Sequence, residues 1–244
     1  MFERKNFLIK SDLGKVLRLS IMAAIIFGFM ALVSMTAQAE SNPNPKVLPV
    51  NSVPYGKTYG EWSAEWWEWA LSIPTPDNPL LDMNGEKCGV EQSGDVWFLA
   101  GNFGGASERT CTVPAGKAIF FPIINAEWSV VEGECPLDID ISGTNEEALR
   151  ACAVAFMDHV TELEVSVDGT TLQNLENYRV QSPLFTFELP EDNILGLSAG
   201  PSPSVSDGFW IMLAPLSAGE HTIHFRGEAD FPFVTKVTYT LTVE

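Results

Sequence analysis

The chain is short of positive charge and of the familiar catalytic signatures. Of 244 residues, 14 are Lys or Arg and 3 are His, against 32 Asp or Glu, a formal net charge of −18. A surface of that sign repels nucleic acid and anionic membranes, so neither is an expected partner. There is no H-E-x-x-H helix and no G-x-S-x-G elbow, which removes the zinc-peptidase and nucleophile-elbow readings. No N-x-[ST] sequon occurs, so nothing calls for N-glycosylation. The glycine-rich stretch Gly101–Arg109, GNFGGASER, reads as a loop. It lacks both the Lys-Ser/Thr end and the strand-to-helix setting of a phosphate loop. No internal repeat and no coiled-coil heptad is present. The three histidines, His159, His221 and His224, are too few and too scattered for a metal centre; on a strand, His221 and His224 point to opposite faces.

What is present begins with an export signal. Arg4, Lys5, Lys10, Lys15 and Arg18 precede an uncharged stretch from Leu19 to Ala39, which ends Thr36-Ala37-Gln38-Ala39. A basic start, an apolar middle and an A-x-A end make residues 1–39 a secretory signal peptide cleaved before Glu40. The rival is an uncleaved anchor, since 21 uncharged residues are enough to span a bilayer. On the cleaved reading, the chain meets a membrane only before processing and is secreted or periplasmic. Taking five basic and two acidic residues from the totals leaves 9 and 30 in the 205 residues that remain, a net of −21. That length suits one domain with a real core. All four cysteines, Cys88, Cys111, Cys135 and Cys152, fall in this part. An even count in an exported chain points to disulfides, and their spacing is unlike the close pairs of a zinc site. Three connectivities are possible; the sequential one, Cys88–Cys111 and Cys135–Cys152, closes the shortest loops. No thiol nucleophile is then left.

Residues 40–56 carry four prolines and read as an extended leader. Residues 57–244 read as a single β-rich domain, a β-sandwich or jelly roll with two accessory helices. The first helix lies in Lys57–Pro74, KTYGEWSAEWWEWALSIP. At 100° per residue, Tyr59, Trp62, Trp66, Trp69, Ala70 and Ile73 share one face. Glu61, Glu65 and Glu68 share the opposite stripe, Trp67 and Leu71 lie on a flank, and Pro74 ends the helix. The second helix is Asn145–His159, capped by Thr144 with Glu147 completing the box. The remainder alternates as strands do. Leu163–Val167 runs into Asp168-Gly169, a hairpin turn, and Glu220–Arg226 pairs with Thr235–Val243 as a closing hairpin. Strands are also expected at Asp95–Ala100, in Thr112–Asn125, in Tyr178–Leu189 with an interruption at Pro183, and at Phe209–Leu216.

The segments GEWSAEWWEWALSIP, VWFLAG, CTVPAGKAIFFPI and PLSAGEHTIHF resemble an uncharacterised family of exported bacterial proteins, over most of residues 57–244. The resemblance implies a bacterial exported domain and no particular activity, fold or site.

Few residues offer chemistry. Trp67, on the helix flank, is the candidate ligand contact. Asp138, Asp140 and Ser142 before Gly143 make D-x-D-x-S-G, the opening of a calcium loop, with Glu146 at the ninth position. The twelfth position should be a bidentate Glu and is Leu149, so calcium needs a variant loop; otherwise this is an exposed acidic strand end before a capped helix. No catalytic residue stands out among thirty carboxylates. The leading expectation is a non-enzymatic extracytoplasmic binding or surface-associated protein, for a glycan or an extracellular matrix component. The alternatives are a secreted carboxylate-dependent polysaccharide hydrolase and a structural subunit of an extracellular assembly. An open cleft with a paired, shifted carboxyl dyad would favour the hydrolase. Exposed aromatics in a row would favour a glycan, and an unpaired sheet edge would favour assembly.

Overall fold

Among the described residues, ten strands form two five-stranded sheets, and two α-helices pack on the first of them. The computed structural model describes residue 44, residues 46–135 and residues 146–244, which fall in one unit, Pro43–Glu244. In the first sheet the order is β1 (Val96–Phe98), β3 (Ala118–Ser129), β8 (Gly200–Leu213) and β6 (Arg179–Gln181), with β7 (Phe185–Leu189) also paired to β8. In the second it is β2 (Gly105–Val113), β10 (Val234–Val243), β9 (Gly219–Ala229), β4 (Val160–Val167) and β5 (Thr170–Thr171). The pairs β1–β3 and β2–β10 are parallel and the rest antiparallel. The chain is therefore mainly β, a sandwich with two accessory helices. Its sheets meet through contacts such as Phe121 stacked on Phe225, ring centroids 5.1 Å apart.

Residues with strong local preferences form the expected elements. Helix α1 spans Tyr59–Ser72. Thr58 caps it in a reciprocal box with Glu61, which satisfies two end N–H groups. Helix α2 spans Glu146–Met157. Asp168 and Gly169 both take positive φ, 51° and 75°, as a two-residue hairpin turn matched to strand twist requires. Two strands are longer than their composition indicates. β2 starts at Gly105, so half of the expected glycine-rich loop is strand, paired to β10 from Thr235 onward. β8 starts at Gly200, where Pro201 and Pro203 sit opposite Glu188 and Thr186 of β7. Prolines two residues apart turn their missing donors to the same side of a strand, so the other edge can still pair.

The helices lie on opposite faces of the first sheet, as alternation along β8 dictates. Ser206 meets Ser63 of α1, while its neighbour Val205 packs with Cys152 of α2. The disulfides are Cys88–Cys111, Cα atoms 5.9 Å apart, and Cys135–Cys152, 6.1 Å apart. They indicate an oxidising, extracytoplasmic environment. The described part of the leader lies against the domain. Val47 bridges to Leu213, the Leu48 N–H donates to the Met212 carbonyl, and the Tyr59 hydroxyl donates to the Leu48 carbonyl at 2.6 Å. Among the described residues no helix is long and apolar enough to cross a membrane.

Candidate functional site

The tryptophan helix is a core element. Trp62, Trp66 and Trp69 are buried, as their shared face requires. So is Trp67, which the helical wheel puts on a flank: only 7% of it is exposed. That flank borders a small cavity also lined by residues of β3 and of the loop after Leu99. The acidic stripe is wetter: Glu61 is exposed, and Glu65 and Glu68 are half-buried.

The four helix indoles differ in what their N–H groups do. Trp62 donates to the Pro54 carbonyl at 2.9 Å, Trp66 to Leu99 at 3.0 Å and Trp69 to Val90 at 3.0 Å. The N–H of Trp67 is buried and has no protein acceptor. Buried donors are nearly always paired, so an orphan marks an unfilled requirement. The amide nitrogen of Asn125 on β3 and the indole N–H of Trp210 on β8 are orphans too. These two flank one residue, Gly208, which pairs with Asn125. A β-carbon on Gly208 would lie 2.6 Å from Asn125 Cβ and 2.9 Å from Trp210 Nε1.

Trp67 and Asn125 wall the same cavity, of about 60 Å³. Its remaining walls are mostly apolar: Leu80, Pro122, Ile123, Ile124, Phe103 and Phe233, with Gly101, Asn102 and Thr235. A bulge in β3 between Pro122 and Ile124 lets consecutive residues of that strand reach it. Asn102 is fully committed. Its oxygen accepts from the Gly104 N–H at 3.1 Å and the Thr235 hydroxyl at 3.0 Å, and its nitrogen donates to Ser107 Oγ at 2.9 Å. This pins the 101–104 loop to β10 and sets the wall in place. Phe103, 54% exposed, stands at the cavity, and Met83, 60% exposed, sits over Ser107 beside Asn102. These are two of the six large exposed apolar side chains among the described residues.

Two other features carry polar chemistry. A shallow groove of about 440 Å³ runs along α1 between Glu65, Glu68, Glu91 and Glu188, over Trp69 and Phe98. Glu65 is ion-paired to Lys57, and burial lifts the Glu68 carboxyl above its ordinary range. On β3, Glu127 is 6% exposed and bonded to the Ser204 hydroxyl. Burial, and then the charge of Glu132, push its carboxyl well up. Burial also raises Glu132, against the Ser129 hydroxyl and N–H that donate to it.

The remaining expected site residues are not gathered. Asp138, Asp140 and Ser142 lie outside the described residues, while Glu146 is exposed and paired to Arg150 at 2.6 Å. Among the described residues no group of His, Cys, Asp and Glu is set to hold a metal. Each histidine has an ordinary partner: His159 with Asp230, His221 with Asp168, His224 with Thr238. Asn125 was invisible as a candidate in the sequence, because its missing partner is a property of the folded neighbourhood alone.

No family model matches the chain, and no curated protein matches it. A solved structure, the solution structure of amebosin, is similar over 57% of this chain and 96% of its own at 10% identity. Its TM-score of 0.18 carries no argument about fold or activity.

Proposed function

We propose that this is an exported, non-enzymatic binding protein that takes a small uncharged group of its ligand into the cavity beside Trp67. The observation behind the reading is a mostly apolar cavity of about 60 Å³ walled by Trp67, Pro122 and Asn125, with an exposed aromatic, Phe103, beside it. No Lys, Arg or His lines it, and the net charge of −18 repels anions. The fitting group is therefore small and uncharged. Titrating ¹⁵N-labelled protein with acetamide should move the Trp67 indole resonance, and sodium acetate at equal concentration should not. No movement with acetamide would end the reading.

The hydrolase reading keeps one observation in its favour, the shifted Glu127–Glu132 pair. Against it stands access, since Glu127 is buried and none of the described depressions is lined by either residue. A polysaccharide-cleaving activity abolished by Glu132→Gln in a folded protein would reverse the order of the two.

A further inference from the structure

We propose that the outer edge of β7 takes up, as an added strand, an extended segment of a partner polypeptide with Lys or Arg at alternate positions; this stands apart from the Trp67 cavity. The pairing defines the edge. Thr186 and Glu188 sit opposite Pro203 and Pro201 of β8. A proline has no N–H to exchange, so these are the non-hydrogen-bonded pairs of the ladder, and Phe185, Phe187 and Leu189 make its bonds. The N–H and C=O groups of Thr186 and Glu188 therefore point away from β8. Among the described residues no other group is bonded to the backbone of either. The outer edges of β1 and β2 are treated otherwise. The Gln92 amide donates to the Phe98 carbonyl of β1 and accepts from its N–H, and the Thr110 N–H of β2 donates to the Asn84 carbonyl. On β7 two successive outward positions stay open, which is the template that a further strand pairs with.

The space beside that edge selects the occupant. The groove of about 440 Å³ along α1 is lined by Thr186, Phe187 and Glu188 in succession. A sheet face would offer only alternate residues, so the groove runs along the strand edge. Its lining includes the carboxylates of Glu65, Glu68 and Glu91 and no Lys, Arg or His. Glu65 already pairs with Lys57, whereas among the described residues Glu68, Glu91 and Glu188 are in no ion pair. Burial lifts the Glu68 carboxyl, a desolvation that an arriving cation offsets. The rings of Trp69 and Phe98 in the same groove attract a cation as well. In an added strand, residues two apart share a face, so alternate Lys or Arg side chains stay on the carboxylate side. A second copy of β7 would bring the same carboxylates against themselves, in a chain of net charge −18. The charge therefore selects a basic partner.

The test uses the full exported chain and an end-blocked heptapeptide, Thr-Lys-Thr-Lys-Thr-Lys-Thr. Its controls are the same peptide N-methylated throughout its backbone, which keeps the charge and removes the ladder donors, and the peptide with Glu in place of Lys. Calorimetry should show the basic peptide binding, and both controls weaker by about tenfold or more. Hydrogen exchange of the Thr186 and Glu188 amides should slow about tenfold at saturating basic peptide. Thr186→Pro removes an outward N–H that has no partner in the free protein, a change that an edge strand tolerates. It should weaken the basic peptide about tenfold, equivalent to about 1.4 kcal/mol. Glu188→Lys alters an exposed side chain and so keeps the test valid if Thr186→Pro fails to fold. It should weaken the basic peptide and leave the acetamide response of the Trp67 indole unchanged. No binding of the basic peptide, or equal binding of its methylated form, would overturn strand addition. Slowed exchange confined to residues outside β7 would overturn the location. Slowing of the Thr186 and Glu188 amides with protein concentration alone, alongside a dimer in sedimentation, would give the edge to a second copy and overturn the basic partner.

Discussion

Replacing Trp66 by alanine is the sharpest perturbation of the scaffold that carries the site. Trp66 is fully buried, with its ring edge-on to three other indoles: Trp67 at 5.0 Å, Trp210 at 5.3 Å and Trp69 at 5.9 Å. Its N–H donates to the Leu99 carbonyl. Deleting a buried aromatic of this size costs about 3–5 kcal/mol through lost transfer energy and the cavity left behind. The Leu99 carbonyl would lose its indole donor, which pushes the cost toward the upper end of that range. In a domain of this length each kcal/mol shifts Tm by about 2–4 °C, so a fall of about 10–20 °C is expected. Thermal unfolding followed by circular dichroism, with disulfides kept oxidised, reads the midpoint. A variant melting within 3 °C of the parent would refute the placement of α1 in the core and the Trp67 cavity with it.

Three further outcomes follow from the same structure. Glu127 has its carboxyl raised in the folded state, so its proton is held more tightly there than in the unfolded chain. Its contribution is complete below the ordinary carboxylate range and is lost as pH rises through the raised value. Urea midpoints should fall from pH 5 toward pH 8, and Glu127→Gln should flatten that fall; a variant with the parent's slope would contradict the assignment. The Cys135–Cys152 bridge closes a loop of sequence separation 17, worth about 3 kcal/mol by restricting the unfolded chain. The Cys135→Ser/Cys152→Ser pair should lose about that much in denaturant titration, and unchanged stability would count against the bridge. Gly208→Ala forces a β-carbon onto Asn125 and Trp210, so a loss of about 1–3 kcal/mol is expected in thermal melts, and a neutral result would contradict the close approach.

Local signals carried much of the fold. The Asp168-Gly169 turn needs φ > 0 at both positions, and that chemistry is visible in two letters. Alternation at 220–226 and 235–243 declared the β9–β10 hairpin, and the wheel of α1 declared three of its four buried indoles, Trp62, Trp66 and Trp69. The sequential disulfides followed from loop length. What stayed hidden depends on neighbours. Gly105 and Ala106 read as loop until β10 pairs with them, and Pro201-Ser202-Pro203 carries no strand signal of its own until β7 pairs with it. Trp67 read as a flank residue because a helical wheel cannot show that the fold buries that flank as well. Asn125 and Trp210 are ordinary letters in apolar strands. Only the fold shows that their donors lie together without acceptors, beside a glycine that leaves them room.

The central claim is that the Trp67 cavity is the binding site, and a crystal structure soaked with acetamide tests it most directly. The account predicts acetamide inside the cavity, against Trp67, Pro122 and Phe103. A cavity filled by water alone while acetamide lies elsewhere, for example in the groove between Glu65, Glu68 and Glu188, would contradict it.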